Sequence, residues 1–118
     1  MTPEEVVRAV LGAWRRLDVD ELAGNFATDA EWDNVPIGVV SGHDEIRKAI
    51  SGYVSRTTSA EIEILYLAVT GRTVLTERVD HFRWDGQAVD SRVMGAFDIE
   101  GEKIVSWRDY FDMSHSGP

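Results

Sequence analysis

The chain has 118 residues, no cysteine, 43% hydrophobic residues and a formal net charge of −9. That length holds one domain with a core rather than two, and the acidity works against binding nucleic acid or an anionic membrane, both of which need a basic footprint. Without cysteine there are no disulfides, no thiolate nucleophile and no Cys-ligated zinc or iron–sulfur site.

The opening Thr2-Pro3-Glu4-Glu5 combines a capping threonine, proline at the first helical position and glutamate three residues after the cap. This pattern satisfies orphan backbone donors reciprocally and starts a helix. Val6, Val7, Val10, Leu11, Trp14 and Leu17 recur at helical spacing, with Arg8, Arg15 and Arg16 on the other side, so the helix ends near Leu17. The stretch "DVDELAGNFATDAEW" predicts a short second helix carrying Leu22, Ala23 and Phe26, released at Thr28-Asp29. After the Ser41-Gly42 breaker, "SGHDEIRKAISGYV" predicts a third, with Ile46, Ala49, Ile50 and Tyr53 on one side. Beyond residue 60 the period becomes alternating. "AEIEILYLAV", "RTVLTERVDHFRW", "QAVDSRVMGAFDIE" and "KIVSWRDYFDM" are separated by turn signals at Thr70-Gly71, Asp85-Gly86 and Glu100-Gly101-Glu102. Four strands joined so tightly pair antiparallel, and helices first with a meander second make an α+β chain. No basic region followed by an apolar signal core opens the sequence, and nowhere do about 18 apolar residues run together, so a cytoplasmic protein is expected.

Two strands carry charges where apolar residues are the rule. Residues two apart in a strand share a face, so Arg78 and Asp80 of "TERVDHF" project together, and Asp109 of "SWRDYFD" shares its face with Trp107 and Phe111. Read without further context, Arg78 and Asp80 equally describe a cross-strand ion pair at the surface, and Asp109 a salt-bridged buried aspartate. If both faces line one concavity, two carboxylates and a guanidinium meet in an apolar setting, which is acid–base equipment. His81 falls on the face opposite Asp80, so a His-Asp pair is not expected there, and neither His43 nor His115 has a metal-ligand partner at suitable spacing. Glu61 and Glu63 alternate with Ile62 and Ile64 as an outward, solvated face.

The order of elements, with "FATDAEWDN" after the second helix and "SGHDEIRKAI" leading the third, resembles the NTF2-like cone fold, a strongly curved mixed or antiparallel sheet wrapped around three N-terminal helices. Within it the chain looks like the limonene-1,2-epoxide hydrolase family over nearly its whole length. That family carries an Arg-x-Asp on one strand and an Asp within a "WRDYFD"-like sequence on a later one, matched by Arg78-Val79-Asp80 and Asp109. It holds its attacking water with a tyrosine and an asparagine two residues apart, followed shortly by proline. This chain reads Trp32-Asp33-Asn34-Val35-Pro36, with tryptophan in the tyrosine's place. Indole has one N–H donor and no acceptor, so Trp32 could wall a pocket but could not accept a proton from water.

The resemblance implies a cofactor-independent, metal-free enzyme that opens a hydrophobic epoxide with water to a vicinal diol. Asp109 would be the general base on water, Asp80 the general acid on the epoxide oxygen, Arg78 the bridge and Asn34 a holder of the water. Leu11, Trp14, Tyr53, Phe82, Val93 and Phe111 are candidates to line the pocket, with core packing the competing role for each. An epoxide-opening cyclase, a SnoaL-like polyketide cyclase or isomerase, and a non-catalytic binding or dimerisation module are alternatives on the same fold. Leu65, Leu67, Leu75 and Val79 form an apolar outer face of the sheet, from which a homodimer is expected.

Overall fold

The computed structural model describes residues 1–113, so His115 lies outside the described residues. Helix α1 (Pro3–Ala13) begins as its sequence dictates: Thr2 Oγ1 accepts from the Glu5 N–H, and the Glu5 side chain accepts from the Thr2 N–H. A 3-10 turn (Trp14–Arg16) closes it, stopped by Leu17 in the left-handed region. The second helix is much shorter than its apolar residues predict. Helix α2 (Val19–Ala23) is followed by strand β1 (Phe26–Val35), so Phe26 and "ATDAEW" belong to a strand. The buried residues of that strand, Phe26, Ala30 and Trp32, are all an even number apart, and β1 gains a ladder with the C-terminal strand that no local propensity can reveal. A four-residue strand β2 (Gly38–Ser41) folds back on it before helix α3 (His43–Arg56).

Strands β3 (Thr57–Thr70), β4 (Thr73–Trp84), β5 (Gln87–Glu100) and β6 (Lys103–Phe111) form the antiparallel meander. Asp85 and Gly86 both have positive φ, as the two-residue turn between β4 and β5 requires. The sheet has six strands in the order β2-β1-β6-β5-β4-β3, antiparallel except for the parallel β1–β6 pair. Register shifts interrupt the β1–β6, β3–β4 and β5–β6 ladders, and such bulges bend a sheet. The concave face closes over the helices: Val6, Val7, Val10, Leu11 and Trp14 of the first helical segment are buried in one cluster with Ile46 and Ile50 of α3 and with Phe26, Val74, Phe97 and Trp107 of the sheet. Each such side chain removed from water is worth about 1.5–3 kcal/mol.

The register also corrects the outer face. Up to Ile64 the inward residues of β3 are Ala60, Ile62 and Ile64, paired with Phe82, Asp80 and Arg78. A bulge between Ile64 and Tyr66 then shifts the alternation, so Tyr66 faces solvent and Leu67 packs against the core. Leu65 and Leu75 are exposed as expected, and Val79 is half-buried.

Candidate active site

One row of the ladder builds the site. Thr76, Gly95, Asp109 and Asn34 are register partners across β4, β5, β6 and β1, and Arg78 lies one same-face step along β4 with Asp80 one step further. Arg78 is almost wholly enclosed, at 1% exposure. Its guanidinium donates from Nη1 and Nη2 to Asp109 Oδ1 and Oδ2, both at 3.0 Å. The other edge donates from Nε to Asp80 Oδ1 at 3.1 Å and from Nη2 to Asp80 Oδ2 at 2.9 Å. Two bidentate forks thus leave from one planar cation and fix both carboxylates relative to each other. Nη1 also donates to Thr76 Oγ1 at 3.2 Å, and the Trp107 indole donates to Asp109 Oδ1 at 2.7 Å.

Burial works against the charge of Arg78, but the two carboxylates outweigh it and raise its pKa further above the ordinary guanidinium value. Asp80 is shifted the opposite way from a typical salt-bridged aspartate. Desolvation pushes its carboxyl up, and the favourable field and hydrogen bonds of Arg78 only partly offset that, while Asp109 adds to the rise. Asp109 receives three N–H donors, which suits a carboxylate acting as acceptor. The two acids therefore differ in environment although one arginine serves both. Gly95 is what admits the arrangement: a Cβ there would collide with Arg78 Nη1 and would stand 2.6 Å from Asp109 Oδ1 and 3.0 Å from Thr76 Oγ1.

Asp80 and Asp109 open onto a cavity of about 260 Å³. Of the pocket candidates named from sequence, Trp14, Tyr53, Phe82, Val93 and Phe111 line it, as do Trp32 and Asn34, while Leu11 lies in the core and does not. Trp32 stacks on Trp107 with ring centroids 5.3 Å apart and packs against Trp14, Phe26 and Tyr53. Its indole N–H has no partner among the described residues. Tyr53 is turned up by burial, with Arg56 opposing and Asp109 adding to the rise. Sequence reasoning missed Gly95, which strand register alone brings beside Arg78 and Asp109, and it passed over Thr76 and the donor role of Trp107, although each lies two residues from its partner on one strand. Among the described residues no group of three or more His, Cys, Asp or Glu side chains could hold a metal ion, and no helix is long and apolar enough to cross a membrane.

An open, curved sheet folded over helices, with one arginine and two aspartates set in an apolar cavity, places the protein in the NTF2-like cone class. The chain belongs to the limonene-1,2-epoxide hydrolase family, whose catalytic-domain model matches residues 1–115. It is similar to epoxide hydrolase EphG of Mycobacterium tuberculosis (strain ATCC 25618 / H37Rv), at 31% identity over 107 residues, covering 91% of this chain and 71% of that protein. Among solved structures it resembles an M. tuberculosis LEH-like epoxide hydrolase, with a TM-score of 0.87, 27% identity and coverage of 97% of this chain and 85% of that one. An NTF2-like protein from Burkholderia pseudomallei K96243 shares the fold at a TM-score of 0.82 and 18% identity, covering 95% of this chain and 92% of that one.

Proposed function

We propose that the protein is an epoxide hydrolase that adds water to a hydrophobic epoxide in one acid–base step, giving a vicinal diol without a covalent intermediate. The observation that carries this reading is the single buried arginine held by two forks between two unequal carboxylates. Asp109, acceptor for three donors, takes the proton from water, and Asn34, its register partner, helps to hold that water. Asp80, whose pKa is raised by burial, retains its proton further up the pH scale and delivers it to the departing ring oxygen. With one proton on the pair, Arg78 and the remaining carboxylate are neutral together, which an apolar cavity tolerates better than net charge. Trp32 cannot take a proton and serves as a wall. We also propose a homodimer through the outer face of the sheet.

The test is turnover of terpene, styrene and cyclohexene epoxides in oxygen-18 water by wild type, Asp80→Asn and Asp109→Asn. Labelled diol should form with wild type and fall by about 10²–10⁴-fold in each variant while the fold is retained. An epoxide-opening cyclase would use a substrate hydroxyl in place of water and would give unlabelled product with the same dependence on both aspartates. Variants as active as wild type would remove the triad from the mechanism.

A further inference from the structure

The cavity has a second polar pole. Asp80, Phe82 and Trp84 are successive inward residues of β4, and all three line the cavity. At about 3.3 Å per residue, Asp80 and Trp84 stand roughly 13 Å apart along the strand. Arg56, the last residue of α3, also lines it, with its guanidinium carbon 4.6 Å from the centre of the Trp84 ring. Proximity to that ring attracts a cation and limits its freedom.

Arg56 belongs to the half of the arginines whose guanidinium is not held by an acid. Arg8, Arg16, Arg47, Arg78 and Arg108 each meet a carboxylate. Arg15, Arg56, Arg72, Arg83 and Arg92 have no carboxylate within ion-pair distance among the described residues; Arg15, Arg72 and Arg83 donate to backbone carbonyls instead, and of the five Arg56 is the one that lines the cavity. An exposed arginine oriented by an aromatic ring, with its donors uncommitted to any carboxylate, is a ready partner for a planar oxyanion. Between the two poles the walls are Phe82, Trp84, Ile62 and Val93, which suit a hydrocarbon chain.

We propose that Arg56 binds the carboxylate of the substrate, so that the epoxide taken by this enzyme carries a carboxylate at the end remote from the ring. This rests on the epoxide-hydrolase reading above. The triad, neutral with its shared proton, does not repel such a molecule, and Arg56 offsets the surrounding negative charge at the end where the anion would sit.

The experiment compares an ω-epoxyundecanoic acid with its methyl ester in wild type, Arg56→Met and Arg56→Lys, reading kcat/KM for each. Wild type should prefer the acid by about tenfold, as a charge-assisted contact of ordinary strength implies. The preference should collapse toward unity in Arg56→Met and return in part in Arg56→Lys. In parallel, undecanoate and undecanol are titrated against the same proteins by tryptophan fluorescence, since all four tryptophans line the cavity. Undecanoate should bind wild type about tenfold more tightly than the alcohol and lose that advantage in Arg56→Met. Turnover without an acid preference overturns the proposal and leaves the hydrolase reading standing. Tighter binding of the acid through Arg56, with neither epoxide opened, upholds the anion pole while counting against hydrolysis. Equal binding of acid and alcohol, in the absence of turnover, overturns the proposal.

Discussion

Gly95 shows how one missing methyl group can decide a site. Its register partners Thr76 and Asp109 crowd in from both sides, and Arg78 reaches across to Asp109 through the space a Cβ would fill. Gly95→Ala must therefore displace the guanidinium or the carboxylate from the geometry in which they meet. Overpacking of this kind costs about 1–3 kcal/mol, and a misplacement near 1 Å at reacting groups costs about 10²-fold in rate. Gly52, inside α3, makes the control, because a Cβ there meets nothing within 4 Å. Gly52→Ala should leave turnover unchanged and raise stability by about 0.5–1 kcal/mol, since glycine weakens a helix interior by that amount. Initial rates and thermal melts of both variants check this pair of expectations. A Gly95→Ala enzyme with the wild-type rate would mean that the close approach of Arg78 to β5 is dispensable.

At the scale of elements, the sequence was most legible where pattern and propensity agreed. The capping box at Thr2, the four strands after residue 57 and the turns at Gly71, Gly86 and Gly101 all follow local rules, and Arg78, Asp80 and Asp109 stood out because charges interrupted apolar strands. Local rules failed at β1, where Phe26 looked like the next apolar position of α2 and only the parallel partner β6 makes the segment a strand. They failed again at Leu67, because a bulge leaves no trace in an alternation that continues on either side of it. Gly95 was invisible for the related reason that its approach to Arg78 and Asp109 depends on register, whereas Thr76 and Trp107 each lie two residues from their partner on one strand. The same register creates a clamp on the outer face, where His81 of β4 bonds Glu63 of β3 at 3.0 Å and Asp90 of β5 at 2.8 Å. These two bonds, Glu63 first, raise the His81 pKa above its ordinary 6.5. A folded-state pKa above the unfolded one contributes stability that is fully present below about 6.5 and is lost as pH rises through the folded value. His81→Gln should therefore lower the melting temperature at about pH 5.5 and have little effect at about pH 9. The loss should be small and salt-sensitive, since the ring is 40% exposed. An equal loss at both pH values would show that the clamp works without protonation.

For the whole molecule, the inner face of the sheet is covered by helices and the outer face is not. Tyr66, Glu77, Met94 and Tyr110 are successive register partners across β3, β4, β5 and β6, and Val35 of β1 continues the row. Tyr66 is 74% exposed, Met94 53% and Tyr110 49%, with Leu65 and Leu75 exposed nearby. Large side chains on β3, β5 and β6, flanked by Leu65 and Leu75 and interrupted on β4 by Glu77, form a surface costly to leave in water, and a two-fold axis through it would let each copy cover the other. A stable interface needs about 1,000 Å² or more in total. Opposing this, each protomer brings a net charge of −9, so association should be weaker at low ionic strength and strengthen as salt screens the repulsion. Light scattering at micromolar concentration should therefore give twice 13.2 kDa in moderate salt. Tyr66→Glu with Met94→Glu, two exposed changes that leave the inner face untouched, should return the mass to one chain without unfolding it. A wild-type protein that stays monomeric across the salt series would mean that this surface has another use, and the dimer would be withdrawn.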